Sequence, residues 1–183
     1  MRTSFEILLE PFDSFAVWIT DFLTGHLYEG VFLAALLETI VPPIPTLAVF
    51  PTAGFLASQA GLSLIEVIPM IILGALGATL GTTGIYLIAL KLGRVILLRY
   101  LRYVKISEKK LERVEIWFEK YGDKAVFLGR MVPVMREMIS VPAGLLEMKI
   151  PKFVLYTFAG SLIWSAGTIL AGYYFGAGLD FII

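Results

Sequence analysis

The pattern of hydrophobic residues along the chain predicts two helices that cross a membrane. Residues 67–90 and residues 153–179 contain no Asp, Glu, Lys or Arg. A helix needs about 20 apolar residues to cross the hydrocarbon core of a bilayer, and both segments are longer than that. Both are also rich in small residues four positions apart, such as Gly77 and Gly81 in the first. Small residues at this spacing let a second helix approach closely in lipid.

A third uncharged segment, residues 39–65, is long enough to span but is interrupted by prolines. Each proline inside a helix removes a hydrogen bond and clashes with the preceding turn, which costs about 3 kcal/mol. Broken backbone is tolerated at membrane depth only where protein or a water-filled cavity surrounds it. Residues 30–61 are therefore predicted to form a re-entrant helical hairpin. Its predicted turn residues are Pro42, Pro45, Pro51 and Gly54.

The same proline pattern recurs in the second half of the chain. Pro42 and Pro51 match Pro133 and Pro142 at a constant offset, and an Ala-Gly pair follows each second proline. Residues 125–150 are therefore predicted to form a second re-entrant hairpin. Its predicted turn residues are Pro133, Pro142 and Gly144.

One crossing separates the two predicted hairpins, so they enter the bilayer from opposite faces. The predicted fold is an all-α membrane protein, an inverted repeat of two re-entrant helical hairpins packed with transmembrane helices. Paired, interrupted hydrophobic segments in the two halves of a chain point to the binding site of a transporter.

One charged segment precedes these elements and another separates the two halves. Residues 4–23 mix apolar clusters with four acids, which predicts an N-terminal amphipathic helix at the membrane interface. A short, tilted first span is the alternative. Residues 91–124 hold ten of the fifteen Lys and Arg residues, which predicts a cytoplasmic loop that sets the orientation. A binding surface for anionic lipid headgroups is the alternative for this loop.

The composition fits a single membrane domain over residues 1–183. Hydrophobic residues make up 58% and charged residues 16%, whereas about a quarter of a soluble domain is charged. The chain has no cysteine and one histidine, His26, in a polar turn. Zinc sites and Ser-His-Asp hydrolysis are therefore implausible. We expect no metal, no cofactor, no catalytic residue and no nucleic-acid partner, so the protein is predicted not to be an enzyme.

Three ionisable residues lie in the predicted hairpins: Glu38, Arg130 and Arg136. Each costs about 3 kcal/mol at the centre of a bilayer, so such residues face an interior and mark a substrate pathway. The two arginines flank Pro133, and guanidinium groups bind phosphate oxygens with paired hydrogen bonds. Together with the N-termini of broken helices, they are predicted to form a phosphate-binding site.

Glu38 lies at the matching place on the first hairpin. It is predicted to pair with the arginines while the site is empty, and to be displaced by phosphate or to carry a proton. The alternative is a structural ion pair that fastens the two hairpins together.

These residues resemble the DedA family of SNARE-associated, or VTT-domain, membrane proteins. The resemblance covers about residues 30–176 and rests on four segments of this sequence. They are Glu38 with the following Ile-Pro turn and Pro51-x-Ala-Gly-Phe-Leu-Ala57, then Gly129-Arg-x-x-Pro-x-x-Arg136, then Val141-Pro-Ala-Gly-Leu145, and a Phe–Trp span with Phe153 and Trp164.

The resemblance implies a multi-pass protein of the inner, or plasma, membrane with inverted re-entrant hairpins. It implies an essential acid at Glu38, essential arginines at Arg130 and Arg136, and a link to the recycling of undecaprenyl phosphate and other polyprenyl phosphates. The implied function is a transporter or flippase for an anionic lipid phosphate, with coupling to protons and homo-oligomer formation left open. The alternatives are an energy-independent phospholipid scramblase and a structural membrane-homeostasis factor. Many members carry a second acid after the Ile-Pro turn of the first hairpin, where this sequence has Leu47, and this weakens the case for proton coupling.

Overall fold

The computed structural model describes residues 20–39, 46–103, 116–133 and 135–179, and all regular secondary structure in these ranges is helical. The helices are α1 (Leu27–Glu38), α2 (Thr46–Gln59), α3 (Leu64–Tyr103), α4 (Lys124–Arg130), α5 (Met135–Met138), α6 (Ser140–Leu145) and α7 (Ile150–Leu179). Residues 20–25 and 116–121 are also helical. The prediction of an all-α fold is confirmed for this part of the chain.

Some predictions concern residues outside the described ranges. Most of the interfacial helix predicted at residues 4–23 lies there, and so do Pro42 and Pro45 of the first predicted turn. The middle of the basic segment, residues 104–115, lies there as well.

Helices α3 and α7 are long and apolar enough to cross a membrane. Their candidate spans, Leu64–Lys91 and Ile150–Gly178, contain nearly all of the two segments predicted from the hydrophobic pattern. Helix α3 continues beyond its apolar part to Tyr103, so the first residues of the predicted basic loop are helical. Residues 94–103 contain neither glycine nor proline and are mostly good helix formers, which explains the continuation.

The two long helices run antiparallel. The rings of Tyr86 and Phe153 stack with centroids 4.3 Å apart. At the other end of the contact, the hydroxyl of Ser165 lies beside Gly74, 3.1 Å from where a Cβ on that glycine would be. Residue numbers rise from Gly74 to Tyr86 along α3 and fall from Ser165 to Phe153 along α7. The two helices therefore contact each other in opposite directions over this whole length.

The shorter helices pack on this pair reciprocally. Helix α1 packs on α3 and α4 packs on α7, whereas α2 crosses to α7 and α6 crosses to α3. Gly77 of α3 faces the carbonyl oxygen of Phe32 in α1, and Gly160 of α7 faces the side-chain stem of Arg130. The small residues predicted to let another helix approach therefore lie at helix contacts. Each half of the chain packs on both long helices.

Four of the predicted turn residues are helical instead. Pro51 and Gly54 lie within α2, and Pro142 and Gly144 lie within α6, whereas Pro133 lies in the turn between α4 and α5 as predicted. Pro142 is the third residue of its helix, where a backbone N–H has no partner within the helix, so proline costs little. Pro51 interrupts the bonding of α2, which is tolerated because α2 is packed against α7.

The two glycines have a packing role rather than a turn role. A Cβ on Gly54 would overlap the carbonyl oxygen of Ile169 in α7, and a Cβ on Gly144 would lie 2.5 Å from the carbonyl oxygen of Tyr86 in α3. Only glycine allows such close approach of the two backbones. The repeated Ala-Gly pair therefore marks the contact of each crossing helix with the long helix of the other half.

Candidate functional site

A buried cluster of polar residues lies where the ends of the shorter helices meet. Glu38 is the last residue of α1, Thr46 is the first residue of α2, and Arg136 lies in α5. An oxygen of the Glu38 carboxylate lies 3.3 Å from Nη2 of Arg136. The structure therefore brings Glu38 of the first half next to Arg136 of the second half.

The Glu38 carboxylate occupies an anion-binding position at the N-terminus of α2. Its Oε1 accepts hydrogen bonds from the backbone N–H of Thr46, at 3.0 Å, and from the Thr46 hydroxyl, at 2.9 Å. The first N–H groups of a helix have no partner within it, and the helix dipole favours negative charge there. A carboxylate of the chain itself therefore lies where a helix N-terminus, a hydroxyl and a guanidinium converge.

Arg136 joins the two halves of the molecule at this point. Its Nη1 donates to the Thr46 hydroxyl at 3.2 Å, and its guanidinium lies 4.8 Å from the centre of the Trp164 ring in α7. Only 5% of the residue is exposed. A guanidinium over the face of an indole ring is stabilised by the ring quadrupole, most strongly where water is excluded.

Arg130 makes a different set of contacts. Its Nη1 donates to the carbonyl oxygen of Arg136 at 2.6 Å, and its Nη2 donates to the Ser140 hydroxyl at 2.5 Å. The residue is 2% exposed. These bonds link the end of α4 to α5 and to the start of α6. Arg130 therefore holds the backbone that carries Arg136, although the sequence predicted that both arginines would grip the same phosphate.

The cluster lies at the middle of α7. Trp164 is fourteen residues from Ile150 and fourteen from Gly178, the two ends of the candidate span. At a rise of 1.5 Å per residue, each end is about 21 Å away along the helix. Charged groups at such a position need partners, and these have them within the bundle.

A groove of about 200 Å³ opens beside the cluster. It is lined by Met131, Ile163, Trp164, Gly167 and Thr168, and almost all of its wall is apolar. Trp164 thus belongs both to the groove and to the contact with Arg136. Within the described residues, no group of His, Cys, Asp and Glu side chains is suited to hold a metal ion.

Three contributors to the cluster were not predicted as site residues: Thr46, Ser140 and Trp164. Thr46 had a usable signal, because it follows proline and starts an apolar helix, where a hydroxyl often caps the N-terminus. Ser140 had no such signal, and Trp164 belonged to the family resemblance without being assigned to the site. The proximity of both to the arginines depends on how separate helices pack.

The sequence matches a family model. The VTT domain model covers residues 44–174, well over half of the chain. The chain belongs to the VTT-domain, or DedA, family. The family resemblance found in the sequence is therefore confirmed, and the two long apolar helices are those of a membrane protein.

Several relatives of this DedA-family protein have names that concern lipid phosphates or phosphatases. It is 31% identical over 158 residues to undecaprenyl phosphate transporter A of Staphylococcus aureus, covering 84% of this chain and 76% of that one. It is 33% identical over 162 residues to the Bacillus subtilis protein of the same name, covering 88% and 78%. A Lactococcus lactis subsp. cremoris relative, 32% identical over 79% of this chain and 69% of its own, is named alkaline phosphatase-like protein. No solved structure matches the chain significantly.

Proposed function

We propose that this DedA-family protein is a transporter that moves a lipid with an anionic phosphate headgroup between the two leaflets. The observation that carries the proposal is the anion-binding position that Thr46 of α2 and Arg136 of α5 form, level with the middle of α7. It is filled by the Glu38 carboxylate, and a phosphate monoester offers the same negative charge with more acceptor oxygens. The names of the S. aureus and B. subtilis relatives support a polyprenyl phosphate, such as undecaprenyl phosphate, as the substrate.

The proposal assigns different roles to the three charged residues. Arg136 binds the phosphate, and Glu38 competes with it or carries a proton. Arg130 positions Arg136 through its backbone carbonyl. The hydrocarbon tail stays in the lipid while only the headgroup passes through the protein, which a chain of this size can accommodate.

The proposed topology places the site inside the bilayer. Helices α1 and α2 have 12 and 14 residues. They are therefore about 18 and 21 Å long, shorter than the hydrocarbon core of about 30 Å. We propose that α1–α2 and α4–α6 are re-entrant hairpins that enter from opposite faces and meet at Glu38 and Arg136. The basic segment 91–124 is then cytoplasmic, in a multi-pass protein of the plasma membrane.

Binding of farnesyl phosphate to the purified protein in detergent tests the phosphate site. Arg136→Lys keeps the positive charge but loses the two-pronged geometry of the guanidinium. We expect its affinity, measured by isothermal titration calorimetry, to fall about tenfold to a hundredfold, as for the loss of a charge-assisted hydrogen bond. Lys152→Gln is the matched control, because Lys152 is an exposed cation that pairs with Asp123 outside the site. Equal affinity of wild type and Arg136→Lys would contradict the proposal.

Vesicles reconstituted with the protein separate transport from the alternatives. Headgroup movement that only equilibrates the leaflets, with or without a pH gradient, would identify a scramblase. Wild-type and Arg136→Lys vesicles that move no lipid above the background of empty vesicles would favour a structural factor. The proposal assigns no chemical step to the site, so release of inorganic phosphate from the lipid would contradict it and favour a phosphatase.

A further inference from the structure

The groove beside Arg136 is accessible from the side of the molecule. Ile163 and Met131, on its two walls, are 47% and 41% exposed. Gly167 forms part of the same wall one helical turn after Ile163, and a Cβ on it would meet no atom within 4 Å. Met131 comes from the turn that follows Arg130, so the groove lies between α7 and the second half's short helices.

Trp164 makes the groove continuous with the phosphate site. Its ring lines the groove and also stacks on the Arg136 guanidinium, 4.8 Å away. Its indole N–H is buried and has no acceptor among the described residues. A phosphate held by Arg136 therefore has a path for its ester substituent along the Trp164 ring.

The depth and size of the groove restrict what can occupy it. Residues 163–168 lie at the centre of the candidate span Ile150–Gly178, level with the hydrocarbon of a bilayer. Pockets for drug-sized ligands measure about 300–1,000 Å³. A groove of about 200 Å³ is smaller than such pockets, which suits a short apolar chain segment.

We propose that this groove binds the first carbons of the prenyl chain of a lipid phosphate while its phosphate binds at Arg136. This inference rests on the proposed function and adds to it a tail-binding subsite with Trp164 as its positioning residue. The lipid enters sideways from the bilayer, with its headgroup passing Trp164 towards the buried guanidinium. Since the competing environment is lipid rather than water, packing against the groove wall governs the chain's position and only modestly its affinity.

A leucine at Gly167 tests the subsite by filling the groove. Gly167→Leu extends into open space, so it should leave folding intact. Gly84→Leu is the matched control, because Gly84 is an exposed glycine of α3 with equally open space around its Cβ. The probe is farnesyl phosphate with a diazirine on its first isoprene unit, and the labelled peptides are mapped by mass spectrometry.

In the wild type and in Gly84→Leu, we expect labelling to concentrate on Met131 and residues 163–168. Excess unlabelled farnesyl phosphate should compete it away. In Gly167→Leu, labelling there should fall at least fivefold, while the affinity for methyl phosphate, which has no prenyl chain, should stay within twofold of wild type.

Three results would overturn the subsite. They are labelling spread evenly over α3 and α7, labelling unchanged by Gly167→Leu, and a change in the mass of the Gly167→Leu particle by light scattering, which would make the groove a contact between copies. Failure of the proposed function looks different. In that case the wild type would bind neither methyl phosphate nor farnesyl phosphate, and Arg136→Lys would change nothing.

Discussion

The two halves of the molecule contribute to the charged cluster through helices of different build. The first half reaches it with α1 and α2, of 12 and 14 residues, and supplies the carboxylate, the hydroxyl and a helix N-terminus. The second half reaches it with α4, α5 and α6, of 7, 4 and 6 residues, and supplies both guanidiniums. Helices this short have little stability of their own, so their positions depend on tertiary contacts.

Because the two halves differ in helix length, the positions of their contributions to the cluster depend on different contacts. In the first half, the anion-binding position depends on the N-terminus of α2, which packs along α7. In the second half, the position of Arg136 depends on the hydrogen bonds that Arg130 makes to Arg136 and Ser140. Substitutions at the contact of α2 with α7 should therefore cost the most stability, whereas substitutions of the two arginines should also weaken the site.

The largest expected effect is at the helix contact of the first half. Gly54→Val places a side chain on the carbonyl oxygen of Ile169 and forces α2 away from α7. We expect the free energy of unfolding to fall by about 3 kcal/mol or more, at the upper end for overpacked sites, because backbone rather than a flexible side chain must move. Gly144→Val should cost less, since its Cβ would lie 2.5 Å from the Tyr86 carbonyl oxygen.

The apparent melting temperature in detergent, monitored by size-exclusion chromatography, measures both losses of stability. Gly178→Val is the control, because a Cβ on this glycine of α7 meets no atom within 4 Å. Equal losses at Gly54 and Gly178 would show that the contact between α2 and α7 is not the cause of the loss at Gly54. A larger loss at Gly144 than at Gly54 would reverse the comparison of the two halves.

A smaller effect is expected for Arg130, the positioning residue of the second half. Arg130→Gln shortens the side chain and removes two hydrogen bonds from a buried cation, which should lower the free energy of unfolding by about 2–3 kcal/mol. Farnesyl phosphate binding should weaken as well, because the backbone of Arg136 loses its support. Arg136→Lys should weaken binding with a smaller change in melting temperature.

The pair of measurements, melting temperature and binding, distinguishes the two arginines. If Arg130→Gln weakened binding while its melting temperature stayed at the wild-type value, Arg130 would contact the phosphate directly. The sequence-based expectation that both arginines grip the phosphate would then be correct.

The long helices and the charged cluster were predictable to different degrees. The spans followed from uninterrupted apolar sequence, since the length needed to cross a bilayer is a strong constraint. Glu38 and Arg136 were predictable as partners because an isolated charge inside a membrane bundle is costly. The stacking of Arg136 on Trp164 was not, because it depends on the crossing of α5 and α7, which no local pattern specifies.

The repeated prolines and glycines show where pattern-based prediction fails. Proline and glycine together usually indicate a turn, and that interpretation was right for Pro133. It was wrong for Pro51 and Gly54, which lie within α2, because the backbone of α2 at Gly54 packs directly against the backbone of α7. The recurrence of the motif identified corresponding positions in the two halves, although not their conformation.

The smallest expected effect concerns the carboxylate that fills the anion-binding position. Glu38→Gln keeps an oxygen that can accept from Thr46 but removes the charge that competes with phosphate for Arg136. Farnesyl phosphate should therefore bind more tightly to the variant, about fivefold for each 1 kcal/mol of competition that is lost. Glu29→Gln is the matched control, because Glu29 is an exposed acid on the same helix.

Isothermal titration calorimetry of farnesyl phosphate with wild type, Glu38→Gln and Glu29→Gln, all at one pH, measures the effect. Weaker binding by Glu38→Gln than by wild type would mean that Glu38 organises the site instead of competing with its ligand. The first half of the molecule would then help to bind the lipid phosphate rather than compete with it for Arg136.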